Sequence, residues 1–350
     1  MIENRYYTEA VQGPYELFDL GAFELEDGGA LPACRLAYTT FGELNHNRDN
    51  AILFPTWYAG THLIPGKTYI GRGHALDPQR HFVVVVNQIG NGVSTSPHNT
   101  AEPYDMDRFP RVRIGDDVRA QERLLRERFG IEELALVVGG SMGAQQALEW
   151  AVRLPDRVKR VAAIAGTART PPHAVLFGDA LADALTSDPA FAAGRYRTAL
   201  EVRAGLKRHA RLWSLMGFSR DFWSEERWRP LGFSSMERFL TGFMEVYFAQ
   251  MDPNALLSMA WKWQQADVGR NAGGDLDAAL GSITARTFVM PIDTDLCFTV
   301  ADASADRERI PGSELRVLQT ASGHLAIFGF DQPFVEQVDR HLAELLATPV

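Results

Sequence analysis

The chain has 350 residues, 46% of them hydrophobic and 23% charged, an ordinary globular composition that excludes disordered and fibrous classes. Its formal net charge is -9 with no Lys/Arg-rich block, so neither nucleic acid nor an anionic membrane is an expected partner. Cys34 and Cys297 are too few for a disulfide framework, the start MIENRYYTEA lacks a signal peptide's apolar core, and no run approaches the ~20 apolar residues of a membrane-spanning helix, so a soluble cytoplasmic protein is expected.

From the start to about Thr170 the apolar runs are short and often β-branched: Ala51 to Phe54, Phe82 to Val86, Leu134 to Val138 and Val161 to Ile164. Such runs suit strands buried on both faces. Gly90-Asn91-Gly92 follows the second run as a G-x-G without the third glycine, so a dinucleotide site is not expected. His62 and His98 lie in loops, where they either line a pocket mouth or are ordinary loop histidines. A helix is predicted from Asp116 to Phe129, opening with two acids and carrying Val118, Leu125 and Phe129 on one face. Strands alternating with helices imply a mostly parallel sheet.

Leu134 to Trp150 reads LALVVGGSMGAQQALEW, a strand-like run, a G-x-S-x-G turn and a helix-like stretch. In that context the pattern is a nucleophile elbow with Ser141 at its tip. A serine on so tight a turn stands clear of both elements, and the helix that follows offers backbone N–H groups to a developing oxyanion. The Met142 N–H is one expected donor. The second is expected from Pro55-Thr56-Trp57-Tyr58-Ala59-Gly60, the loop after the first strand, through the backbone of Trp57.

From about Thr170 to Leu280 the β-branched runs vanish, and Trp, Phe and Met recur at helical spacing, as in Phe239, Phe243, Tyr247 and Met251. A helical insert over the C-terminal edge of a sheet makes a lid. Strand texture returns with Arg286 to Ile292 and Leu315 to Gln319, and the last helix carries Phe334, Val338, Leu342 and Leu345. A serine hydroxyl needs a base and a group to orient that base. Asp293 and Asp295 follow the first returning strand and His324 the second, in the order acid then histidine that the elbow demands. His173 and His209 fall in the insert and His341 on the last helix, none of them after a core strand. The residues alone leave Asp293 and Asp295 as alternatives. No His/Cys spacing suggests a metal site.

Several segments together resemble the homoserine O-acetyltransferase family of α/β-hydrolases: Ile114 to Leu124, Phe129-Gly130-Ile131, Gly139 to Trp150, Asp188-Pro189, Asp252-Pro253-Asn254, Thr294 to Phe298 and Gly323-His324. The resemblance implies an α/β-hydrolase fold, a mostly parallel sheet flanked by helices with an inserted helical cap. Its expected divisions are core at 1–170, cap at 171–280 and core again at 281–350. It makes Asp295 the acid partner of His324, places Trp57 at the oxyanion loop and suggests a dimer through cap helices. Relatives that act on homoserine carry an arginine for the substrate carboxylate where this chain has Ala182. Losing that partner costs about 1.5 to 3 kcal/mol or more. The expected activity is therefore hydrolysis of short-chain, acetyl-type alkyl esters by Ser141, His324 and Asp295, with a small ester as partner and no cofactor. The alternative is an acyl-CoA-dependent O-acetyltransferase of homoserine or another alcohol.

Overall fold

One sheet of eight strands organises the chain, its inner parallel strands built from short apolar runs. The computed structural model describes residues 2–350. The strands are β1 (Glu16–Glu24), β2 (Ala30–Phe41), β3 (Ala51–Pro55), β4 (Phe82–Val86), β5 (Leu136–Gly140), β6 (Arg160–Ile164), β7 (Arg286–Met290) and β8 (Glu314–Leu315), in the order β1-β2-β4-β3-β5-β6-β7-β8. β2 is antiparallel to both β1 and β4, and the remaining pairs are parallel.

Alternate residues of the inner strands serve two cores. Ile52, Phe54, Val83, Val85, Leu136 and Val138 join one buried cluster, and Leu53, Val84, Val86 and Val137 join the other. Successive strand side chains point to opposite faces, so a sheet covered on both sides needs continuous apolar runs. No such run announces β1 and β2, because one of their faces is exposed and their pairing shifts register around Gly21. β7 stops at Met290 rather than Ile292, since Pro291 has no N–H for the ladder. The strand expected at Leu315 to Gln319 is instead β8 at Glu314–Leu315, followed by an isolated bridge between Ile292 and Leu318.

The longer helices are α1 (Ile114–Arg123), α2 (Met142–Arg153), α3 (Pro172–Thr186), α4 (Arg203–Gly217), α5 (Pro253–Gln264), α6 (Val300–Arg309) and α7 (Gln332–Ala347). α1 starts ahead of its acids, and a π-helical turn over Leu124–Arg128 follows it, so Phe129 lies past the helix. α2 is buried along nearly its whole length under the sheet. From Pro172 to Gly281 the chain adds helices and turns to the fold, with one isolated bridge from Asp267 back to Arg169. Their interior, including Phe177, Trp213, Phe239, Phe248 and Trp263, is continuous with the first buried cluster. Phe239 and Met251 of the predicted stripe are buried, whereas Phe243 and Tyr247 are only partly so. Among the described residues no helix is long and apolar enough to cross a membrane.

Both acids at the start of α1 are fully buried. Asp116 accepts the N–H groups of Arg113 (2.8 Å) and Glu26 (2.9 Å). Asp117 accepts the Ile89 N–H at 2.8 Å and pairs with Lys262 of α5, whose ammonium also donates to the Ile89 carbonyl at 2.7 Å. Burial pushes the Asp117 carboxyl up to about 6, against the pull of Lys262. This pair fastens α5 to the core helix α1. Lys262→Met strands a buried carboxylate and should lower the unfolding free energy by about 3–5 kcal/mol in a urea titration. Adding Asp117→Asn should restore more than half of that loss. A double variant as unstable as the single one would show that the charge pair is not what fastens α5.

Candidate active site

β5 ends at Gly140 and α2 begins at Met142, so Ser141 alone makes the turn, with φ 54° and ψ -122°. A non-glycine residue in such a conformation is strained by about 1–3 kcal/mol and persists only where its surroundings hold it. Here the Ser141 N–H donates to the Ile164 carbonyl at 2.8 Å, and its own carbonyl accepts the Ala144 N–H at 2.9 Å. The turn is closed by bare backbone. A Cβ on Gly139 would lie 2.3 Å from the Gly143 carbonyl carbon, and one on Gly143 2.5 Å from the Pro55 oxygen.

His324 comes from a 3-10 turn at Gly323–Phe328, beyond β8, and Asp295 from the turn after β7. Asp295 Oδ1 accepts the N–H groups of Cys297 (2.6 Å) and Phe298 (3.1 Å), which aims Oδ2 at His324 Nδ1, 2.7 Å away. His324 Nε2 lies 3.0 Å from Ser141 Oγ. All three side chains are buried. Asp293 is exposed instead, and its Oδ1 accepts the Thr320 N–H at 3.1 Å. Asp295, Cys297 and His324 are close enough together to suggest a metal site. The donor set does not fit one: both ring nitrogens of His324 are engaged, and burial pushes the Cys297 thiol up, away from thiolate.

Above Ser141 lies a cavity of about 10 Å³, room for roughly one water. Trp57, Tyr58 and Ala59 enclose it from the loop after β3, Trp213 and Phe248 from the helical segment, and Leu325, Ile327 and Phe328 from beside His324. Among the described residues, the backbone N–H groups of Trp57 and Met142 donate to no protein acceptor. The lining includes no Lys or Arg. Ala182 lies on α3, outside the lining.

Periodicity in the sequence does not single out Trp213, Phe248 or His209. His209 is buried on α4 with its Nε2 2.9 Å from the Tyr58 hydroxyl, and its spacing of four residues from Trp213 was the available signal. His62 and His98 are absent from the lining. His62 packs against Tyr15 and binds Asn87 at 3.0 Å, and His98 stacks on Tyr7. Gly92 has φ 104° and leaves room for the Tyr7 ring, which a Cβ would approach to 2.2 Å.

The glycine contacts make an ordered prediction. Gly139→Ala drives a methyl into backbone that cannot yield and should destabilise the fold by about 1–3 kcal/mol or more. Gly140→Ala meets only ordinary contacts, with Ile327 and Trp57 at 3.7 Å, and should cost far less. Urea unfolding of the two variants checks the order.

The family model of the alpha/beta hydrolase fold matches residues 52–330. The chain is 56% identical to an ethyl acetate hydrolase of Pseudomonas veronii over 346 residues, 99% of each chain. It resembles the solved structure of an acetylester hydrolase from Corynebacterium glutamicum with a TM-score of 0.98 and 53% identity, covering 99% of this chain and 100% of that one. A homoserine O-acetyltransferase of Thermobifida fusca is 35% identical over 92% of this chain and 91% of its own length. With its strand-turn-helix serine and its relatives on both sides, the chain belongs to the alpha/beta hydrolase family, in the group that joins esterases to homoserine O-acetyltransferases.

Proposed function

We propose that this esterase hydrolyses acetyl esters of small alcohols through a triad of Ser141, His324 and Asp295. The observation that carries the reading is the unbroken row from Asp295 through His324 to Ser141, at 2.7 and 3.0 Å, ending in the cavity. Its relatives at 53–56% identity, named for ethyl acetate and acetyl ester hydrolysis, support the acyl group.

In this reading Ser141 Oγ attacks the ester carbonyl while His324 Nε2 takes its proton. The carbonyl oxygen gains negative charge and is held by the N–H groups of Met142 and Trp57. His324 then returns the proton to the alkoxy oxygen, the C–O bond breaks and the alcohol leaves an acetyl group on Ser141. Water, deprotonated by His324, attacks that acyl-enzyme, and acetate departs as Ser141 regains its proton. Asp295 keeps the Nδ1–H tautomer and balances the imidazolium that forms. Residues 171–280 act as a cap over the cavity, supplying Trp213 and Phe248 to its wall.

Transfer to homoserine is disfavoured by the same cavity. An acceptor must be positioned well enough to outcompete ~55 M water. A homoserine carboxylate would find no cation in this lining. Two experiments test the proposal. Ser141→Ala should lose on the order of 10⁶ in turnover, Asp295→Asn close to ~10⁴ in kcat, and Asp293→Asn little. The reverse order of the two aspartates would move the acid to Asp293. Product analysis by mass spectrometry should find acetate released from ethyl acetate without CoA, at a rate unchanged by millimolar homoserine. Saturable formation of O-acetylhomoserine from acetyl-CoA would establish the transferase instead.

A further inference from the structure

Tyr58 shares the cavity with Ser141 and His324, and it carries the one side-chain hydroxyl in that lining besides Ser141. Its oxygen lies 2.9 Å from Nε2 of His209 on α4. His209 is wholly enclosed, and burial pushes its imidazole down to about 3, so the ring is neutral and has a single N–H. Its Nδ1 has no partner among the described residues.

That bare nitrogen sets the two tautomers apart. A proton on Nδ1 would be a buried donor with nothing to donate to, and such orphaned N–H groups are rare in folded proteins. A proton on Nε2 donates to the Tyr58 oxygen and moves the unmet donor to the Tyr58 hydroxyl, which belongs to a residue lining the cavity, where a bound ester can accept from it. The Tyr58 hydroxyl hydrogen is then free for another acceptor. Burial also pushes the Tyr58 ionisation far up, which keeps that hydrogen in place. Trp213 braces both rings, with its centroid 5.4 Å from that of Tyr58 and 6.2 Å from that of His324.

We propose that Tyr58, gripped through its oxygen by His209, donates a hydrogen bond to the alcohol-side oxygen of the ester. The inference rests on the esterase reading above. In that reading the carbonyl oxygen is met by the Met142 and Trp57 N–H groups. The alkoxy oxygen has two lone pairs, one of which takes the proton from His324. The second faces an aromatic enclosure, where Tyr58 is the available hydroxyl donor. The hydrogen bond stabilises charge on that oxygen as its bond to the acyl carbon breaks, and Tyr58 keeps its own proton throughout. The water of the second step occupies the place the alcohol vacates, so the same hydroxyl positions it. His209 is a positioning residue for Tyr58.

The test is a leaving-group comparison. Ethoxide is a poor leaving group and needs its charge stabilised, whereas p-nitrophenolate does not. Tyr58→Phe removes one oxygen and keeps the ring. It should lower kcat/KM for ethyl acetate by about tenfold or more and that for p-nitrophenyl acetate by less than about threefold. His209→Phe should shift the ratio of the two values in the same direction, by less. Because kcat/KM stops at acylation, the ratio reports the leaving group alone. A ratio unchanged from wild type in both variants would overturn the proposal and leave the pair as packing. If Tyr58→Phe does not fold, the ratio in His209→Phe decides. A wild-type protein that cleaves neither ester would refute the esterase reading itself, a separate outcome.

Discussion

The site depends on the backbone conformation of Ser141. A serine held at φ 54° is strained, and the strain is borne by contacts that only glycine allows. Gly139 lies against Gly143, Gly143 against the Pro55 carbonyl and Gly166 against the Ser141 carbonyl, each so close that a Cβ would meet backbone at 2.3 to 2.6 Å. The ends of β3 and β5, the start of α2 and the loop after β6 are thereby locked to one another. The result is a hydroxyl at the tip of a strand, with the first N–H of a buried helix beside it. Sheet pairing does the rest, since parallel neighbours β6, β7 and β8 end on the same side and deliver Asp295 and His324 there.

The helical segment is fixed to this edge by polar links rather than by apolar contact alone. Lys262 and Asp117 join α5 to α1 in full burial, and the Tyr247 hydroxyl donates to the Ala59 carbonyl at 2.7 Å, next to the cavity. A buried ion pair contributes little net stability compared with a well-packed apolar pair. Its geometric demands are strict, however, because either charge left alone is costly. The pairing therefore fixes α5, whose Trp263 stacks on Trp213 of the cavity wall.

The cavity wall bears on the proposed preference for hydrolysis over transfer. Apolar and aromatic side chains provide most of its wall, with its polar side chains confined to Ser141, His324, Tyr58 and indole N–H groups. Such an enclosure strengthens the electrostatic interactions inside it. It also offers nothing to a zwitterionic acceptor, whose charges would be stripped of water without replacement. A neutral ester carries no such burden.

The sequence by itself determined the parallel sheet, the elbow and the helical character of the segment after Thr170, because each is written in local periodicity or in a turn that tolerates few residues. It also named Ser141 and His324, through their places after predicted strands. Between Asp293 and Asp295 it was silent without the family resemblance, since two residues on one strand end differ only in how the next turn aims them. That turn is set by the Cys297 and Phe298 N–H groups. β1 and β2 left little trace because half of their surface is solvated and a register shift breaks their alternation. The burial of Asp117, its pairing with Lys262 and the meeting of Tyr58 with His209 were decided by tertiary structure alone. Each joins residues more than a hundred positions apart, a separation that no local pattern encodes.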